Sequence, residues 1–448
     1  MRKEIFRLTI PNIITNITIP LLGIVDLALL GHLNSHIYLG AVSIGAMIFN
    51  ILYWGMNFLR MSTTGFTAQA FGKKDTKKIA SNLISPVIIG AGIGILLIFL
   101  QYPIDKLSFY LLNAEQQTEK FASNYFAIRI WAAPATLALY GFYGWFIGVQ
   151  NAKYPMIIAI SINIVNIALS YFFIYNLRMN SDGAAIGTVI AQYFGILLSI
   201  IFIFAKYKKY FKNYKLQIKF NKVELSRYFA VNANIFVRTL GIMAVFTFFT
   251  GTSANSGTLV LDANTILFQF YIFFSYFIDG FAYATEALTG KYLGEQNKIK
   301  LIKAVKVIFK YSFLVSIAFT LVYYFLGEEI IKLMSSQKEV INLANKYLFW
   351  TWLLPILSFA SFIWDGAFVG ITASKEMRNT MLFSSVLVFF PAFYLLQNHF
   401  GNHALWVALL LFLFSRGGTQ TLIFAKILQK NKIFYIYLVS FVSWCSLV

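Results

Sequence analysis

The chain has 448 residues, of which 59% are hydrophobic and 18% aromatic while only 12% carry charge, a balance that no water-soluble domain of this length carries on its surface. Lipid is therefore the solvent for most of it, and long apolar runs, not alternating ten-residue strands, select helices over a β-barrel: an all-α integral membrane fold. The formal charge of +20 raises nucleic acid as a partner, a question that the placement of the basic residues decides.

In chain order, apolar runs of roughly twenty residues predict twelve transmembrane helices, near 6–30, 37–59, 83–104, 121–148, 155–176, 184–205, 228–250, 258–287, 307–326, 347–370, 380–398 and 404–425. The first run resembles a secretory signal in length, but it carries Asp26 and two prolines and no convincing small-x-small cleavage site follows, so it reads as a retained helix. With an inside start, and with Arg7 at the inner edge of the first run counted with the N-terminal segment, the inside segments hold 27 Lys and Arg and the outside loops 6; Arg129, Arg238, Lys310 and Arg416 fall within spans. That asymmetry is the positive-inside rule: it puts both termini in the cytoplasm of a bacterial inner membrane and removes the case for nucleic acid. The stretch Lys206 to Lys222 reads as a basic connector lying against anionic headgroups. The expected organisation is a first lobe at 1–205, a linker at 206–227, a second lobe at 228–427 and a short apolar tail at 428–448 of unassigned placement.

One cysteine, Cys445, excludes an internal disulfide and a cysteine metal cluster. His32 and His36 are spaced like a metal pair but have no carboxylate beside them, and His399 and His403 fall in the last outer loop; all four read as interfacial residues, with no metal. No Gly-Lys-Ser/Thr phosphate loop is present and no soluble domain is long enough to use ATP. An ion gradient is the remaining energy source.

Two internal matches share one offset of 222 residues. Thr67-Ala-Gln-Ala-Phe-Gly-Lys-Lys-Asp75 pairs with Thr289-Gly-Lys-Tyr-Leu-Gly-Glu-Gln-Asn297, and Gly144-Trp-Phe-Ile-Gly148 through Lys153 pairs with Gly366-Ala-Phe-Val-Gly370 through Lys375. They fall after helices two and eight and in helices four and ten, so the halves have equal helix counts and like orientation. Such a parallel repeat implies two six-helix lobes about a pseudo-twofold along the membrane normal, rocking to give alternating access.

A charge at the bilayer centre costs roughly 2.5 to 3.5 kcal/mol, so each one needs a partner, a cavity or a protonation change. Within the expected spans of the first half the one acid is Asp26, on a helix weakened by Pro11 and Pro20, so its protonation could be linked to a change of bend. Burial would carry its pKa toward the physiological range; the competing account is an Asp permanently hydrogen-bonded for packing. Helix five adds Ser161, Asn163, Asn166 and Ser170, and helix six Thr188 and Gln192, able to bond Asp26 or a cation or to serve as packing glue. The second half has Arg238 on helix seven, Asp262, Asp279 and Glu286 along helix eight, and Asp365 on helix ten. Arg238 beside these acids reads most simply as compensating ion pairs, and Asp365 as a second coupling candidate.

Pro20-Leu-Leu-Gly-Ile-Val-Asp26 through Gly31-His32-Leu33, Phe58-Leu-Arg-Met-Ser-Thr-Thr-Gly-Phe-Thr-Ala-Gln-Ala-Phe-Gly72 and Asp279-Gly-Phe-Ala-Tyr-Ala-Thr-Glu286 resemble the multidrug and toxin extrusion (MATE) family, DinF-type branch, over the chain to about residue 425. The resemblance implies a monomeric secondary transporter, not an enzyme, that exports cationic or amphipathic small molecules against inward proton or sodium flow and needs no cofactor. In similar transporters the helix-one aspartate couples the cation, which matches Asp26, and an Asn and an Asp one turn apart on helix five with a Thr on helix six complete the site. Asn166 and Thr188 match, whereas the second acid's position is Ser170. Losing that charge disfavours sodium, which wants several oxygens, relative to a proton, which needs one carboxylate. The alternatives are a sodium-coupled exporter, a lipid-linked precursor flippase of the same superfamily, which would want a strongly cationic cavity, and a membrane enzyme, which would want clustered His or acids at one face.

Overall fold

The computed structural model describes residues 1–31, 36–112, 116–212 and 222–429, and every regular element among them is helical. The chain divides into two compact units, Arg7–Phe220 and Met1–Phe6 with Asn221–Val448. The first holds most of α1 (Arg2–Gly31), then α2 (His36–Gly55), α3 (Phe58–Gly72), α4 (Thr76–Phe99), α5 (Gln101–Leu112), α6 (Gln116–Arg129), α7 (Ala133–Gly148), α8 (Lys153–Tyr171), α9 (Asn180–Lys206) and α10 (Lys208–Phe211). The second holds α11 (Lys222–Asn255), α12 (Thr258–Gly294), α13 (Lys298–Met334), α14 (Lys338–Gly370), α15 (Ser374–Leu382), α16 (Phe390–Phe400) and α17 (Asn402–Gln429). Among the described residues eleven helical segments are long and apolar enough to cross a membrane; α1, with 30 residues, occupies the remaining expected position. The apolar tail beyond Gln429 lies outside the described residues, as do residues 213–221 of the expected linker and His32.

Lipid exposure shows in the burial pattern. The most apolar windows of the peripheral spans, such as Thr76–Phe99 and Lys298–Met334, bury 28% of their residues, whereas Gln116–Gly148 and Lys338–Gly370 bury 72%. These two are the fourth and tenth spans, so α7 and α14 form the core of their units; α7 packs on α3 and α4, and α14 on α12, α13 and α17. Trp145 anchors the first core, donating its indole N–H to the Ile79 carbonyl at 2.7 Å, and Trp364 anchors the second, donating to Thr421 Oγ1 at 2.7 Å. Large apolar side chains such as Phe99, Phe204, Phe325 and Leu395 stay exposed, as a surface solvated by acyl chains requires.

The 222-residue repeat is realised in backbone geometry. Lys74 and Gln296 have φ of 57° and 56°, and Gln150 and Thr372 have φ of 65° and 58°. In each motif the helix closes on a left-handed residue, and the next N–H reaches back five residues: Asp75 to Ala70 at 3.0 Å and Asn297 to Tyr292 at 2.9 Å, the pattern of a Schellman closure. Asp75 and Asn297 then cap the following helices, accepting from Lys78 N and Lys300 N at 3.0 Å each. The second motif places Gly144 and Gly148 on the backbone and threonines of α3, and Gly366 and Gly370 on α12, small residues letting two helices approach closely. The two repeated motifs are therefore the two faces of one joint, present once in each unit.

Each unit also contains a π-helical turn, Phe172–Asn176 after α8 and Phe383–Phe389 between α15 and α16, in the fifth and eleventh spans. Pro11 and Pro20 lie inside α1, which continues through both.

Candidate functional site

In the first unit, α8 and α9 bring together the polar residues singled out on helices five and six. Asn166, Ser170 and Thr188 are all buried. Asn166 Nδ2 donates to Thr188 Oγ1 at 2.9 Å, and the threonine hydroxyl donates in turn to the Ala184 carbonyl at 3.0 Å. Ser170 lies one turn beyond Asn166 with its Oγ buried and without a partner among the described residues. Gly187 makes the approach possible: a β-carbon there would stand 2.8 Å from Ser170 Oγ. The cluster has oxygens in reach of one another, but Ser170 brings no charge to it.

Asp26 lies within α1, but its side chain is outside the described residues. The helix around it is fixed at two places. Asn163 Nδ2 donates to the Thr18 carbonyl at 2.6 Å, and Tyr175 Oη donates to the Leu29 carbonyl at 2.7 Å. Both donors sit on the fifth span, so the segment bearing Asp26 is held by the same element that carries Asn166 and Ser170. The apolar run marked the sixth helix from 184, yet α9 starts at Asn180 and takes Asp182 into its first turn, so Asp26 is not the sole acid on the first unit's spanning helices. A polar opening turn does not register in an apolar run.

In the second unit, α11 and α17 converge on Asp365 of α14. Arg416 of α17 donates to its Oδ2 at 2.6 Å, Arg238 of α11 donates to the same oxygen, and Gln420 Nε2 donates to Oδ1 at 2.6 Å. Asp365, Arg416 and Gln420 are buried. The expected pairing of Arg238 with the second-half acids falls on Asp365, which Arg416 and Gln420 also bond, two partners that spacing alone does not single out. Both oxygens of Asp365 are thereby engaged by cationic or amide donors. Glu286 is buried and Asp279 half-buried, both on α12, and Asp262 near the start of that helix is exposed. Among the described residues no group of three or more His, Cys, Asp or Glu could hold a metal. His403 accepts at Nδ1 from Trp350 Nε1 at 3.0 Å and lies on Tyr347, centroids 4.6 Å apart, a packing role; His399 is exposed on α16.

These units and their paired joints match known proteins. The MatE family model matches residues 11–172 and again 235–395. The chain belongs to the MATE family. It is 36% identical to DNA damage-inducible protein F of Escherichia coli over 93% of this chain and 90% of the relative, and 24% identical to a probable multidrug resistance protein NorM of Photorhabdus laumondii over 96% of each. The crystal structure of the Vibrio cholerae MATE transporter VcmN in its bent form superposes with a TM-score of 0.86, at 19% identity, covering 96% of this chain and 98% of that one. MATE proteins are multi-pass membrane transporters of the multidrug efflux type, not enzymes, and the starts of the two matched segments, 11 and 235, lie about as far apart as the internal repeats. The expected family, all-α fold and transporter class therefore stand.

Proposed function

We propose that this MATE protein is a proton-coupled antiporter that exports cationic or amphipathic small molecules by alternating access, with Asp26 taking up the coupling proton. The observation that carries the proton assignment is Ser170: the position where similar transporters place a second carboxylate holds a buried hydroxyl, one turn from the Asn166–Thr188 bond. A sodium ion there would meet few charged oxygens, whereas a proton needs only Asp26. Pro11 and Pro20, each lacking one helical hydrogen bond, supply the place where α1 bends as the proton moves. The excess of Lys and Arg on alternate loops supports cytoplasmic termini in a bacterial inner membrane. Both oxygens of Asp365 are already bonded, which argues for Asp26 over Asp365 as the coupling acid. In proteoliposomes, Asp26→Asn is expected to remain folded and to lose efflux driven by a pH gradient; efflux by that variant at the wild-type rate refutes the assignment.

A further inference from the structure

One carboxylate oxygen in the second unit serves two arginines. Asp365 Oδ2 accepts from Arg416 Nη2 and from Arg238 Nη2, and Gln420 occupies Oδ1. After these bonds, Nε of Arg238, Nε of Arg416 and Oε1 of Gln420 remain buried with no partner among the described residues. An ion pair that serves packing alone closes its donors and matches one cation to one anion. Here two guanidiniums share one carboxylate, and three unmatched polar atoms lie around it. Asp279 belongs to the same electrostatic neighbourhood, around Tyr271, but the acid that both arginines bond is Asp365.

What is missing from this arrangement is defined by its chemistry. Two guanidinium N–H groups are open, the bonded cluster carries more positive than negative charge, and the planar arginine fork matches an oxyanion in two-point contact. Arg238 provides the way in, since its side chain keeps 14% of its surface exposed while that of Arg416 keeps 2%. Beside the charges is an aromatic wall. The Arg416 guanidinium lies 5.8 Å from the Phe362 ring centre, and Tyr271 lies 6.2 Å from Phe362, which suits the apolar body of an amphipathic molecule.

We infer that the Arg238–Asp365–Arg416 cluster binds the carboxylate or phosphate group of an amphipathic small molecule, with Asp365 as the resident counter-ion that the ligand displaces. The site extends the range of cargo beyond cations to zwitterionic and anionic amphipaths. Its test needs no gradient, so its outcome is separate from that of the export reading.

The full chain in nanodiscs of zwitterionic lipid is titrated with carboxyfluorescein and, in parallel, with rhodamine 6G, a cationic ester on the same xanthene scaffold, and followed by fluorescence polarisation. Arg238→Gln is expected to weaken carboxyfluorescein binding about tenfold and leave rhodamine 6G unchanged, with Arg238→Lys recovering part of the loss. Asp365→Asn removes the internal competitor and is expected to tighten carboxyfluorescein about tenfold. If Asp365→Asn does not fold, Arg238→Gln decides alone, because it keeps the Arg416, Asp365 and Gln420 bonds. Loss of dye binding in discs of anionic lipid identifies a lipid phosphate as a competing occupant of the same site. Absence of saturable carboxyfluorescein binding, or equal effects of Arg238→Gln on both dyes, overturns the inference.

Discussion

Gly148 lies so close to Thr67 that a β-carbon built on the glycine would stand 2.6 Å from the threonine Cβ, and Gly370 repeats the relation with Thr289. Neither joint has room for one more methyl group, because the neighbour is a threonine on an adjacent helix with backbone directly behind it. Gly148→Ala and Gly370→Ala are each expected to destabilise the protein by about 1–3 kcal/mol, the usual cost of overpacking. Gly92→Ala, in α4 with nothing within 4 Å of the added carbon, is expected to be neutral or mildly stabilising. Thermal denaturation of detergent-purified protein separates the cases; equal melting temperatures for all three would contradict the joint.

Ser170 offers a way to exchange the coupling ion. Its Oγ is buried and without a partner among the described residues, beside the Asn166–Thr188 bond. Ser170→Asp returns a second carboxylate to the cluster and is expected to bring in sodium-stimulated efflux, with a smaller response to a pH gradient alone. Proteoliposomes energised by one gradient at a time give the readout. A wild type driven by sodium alone would defeat the proton assignment from the other side.

The two bonds that fix α1 can be removed one at a time. Asn163→Ala deletes the contact to the Thr18 carbonyl, and Tyr175→Phe deletes the one to Leu29. Each is expected to cost about 0.5–1.5 kcal/mol of stability and the double variant to slow efflux while leaving Asp26 in place. Initial efflux rates beside melting curves would show whether the anchors serve transport or only packing.

Glu4 gives a pH dependence whose sign can be worked out. Burial pushes its carboxyl upward, but Lys291 at 3.2 Å and Tyr292 at 3.1 Å bond the charged form and leave it below its ordinary 4.5. The folded value is therefore the lower one: the stabilisation is complete above about 4.5 and is lost as pH falls through the folded value. Glu4→Gln is expected to lower the melting temperature slightly between pH 6 and 8, by under about 1 kcal/mol for so exposed a pair. The gap to wild type is expected to close in more acidic buffer and in high salt; a gap that widens in acid would contradict the pairing.

Apolar run length located the helices because a bilayer demands about twenty residues of satisfied backbone from each span, and all twelve expected positions fall on helix. A polar opening turn does not register in such a run, so Asp182 lies outside the apolar stretch yet inside α9. The 222-residue match was visible as letters, but its meaning was not: Lys74 and Gln296 share a left-handed backbone that neither residue type announces. Arg416 was visible as a cation in an apolar run, yet its acid lies 51 positions away on another helix, a distance that only packing resolves. The π turns left no trace in hydropathy, because an extra residue per turn changes spacing and not composition.

α1 is shared unequally by the two units, with Met1–Phe6 counted with the residues from Asn221 onward and Arg7 to Gly31 with the other unit. Cutting the gene between the halves, to express each lobe alone or to rebuild the transporter from two fragments, would therefore not divide it fairly. The fragment that begins at Lys222 would lose the carboxylate that pairs with Lys291 and the Phe6 ring that meets Tyr311 with centroids 4.8 Å apart. The first fragment would keep those residues with nothing to bind. Complementation between the two fragments would then measure, among other things, how well a six-residue piece of one finds its seat on the other.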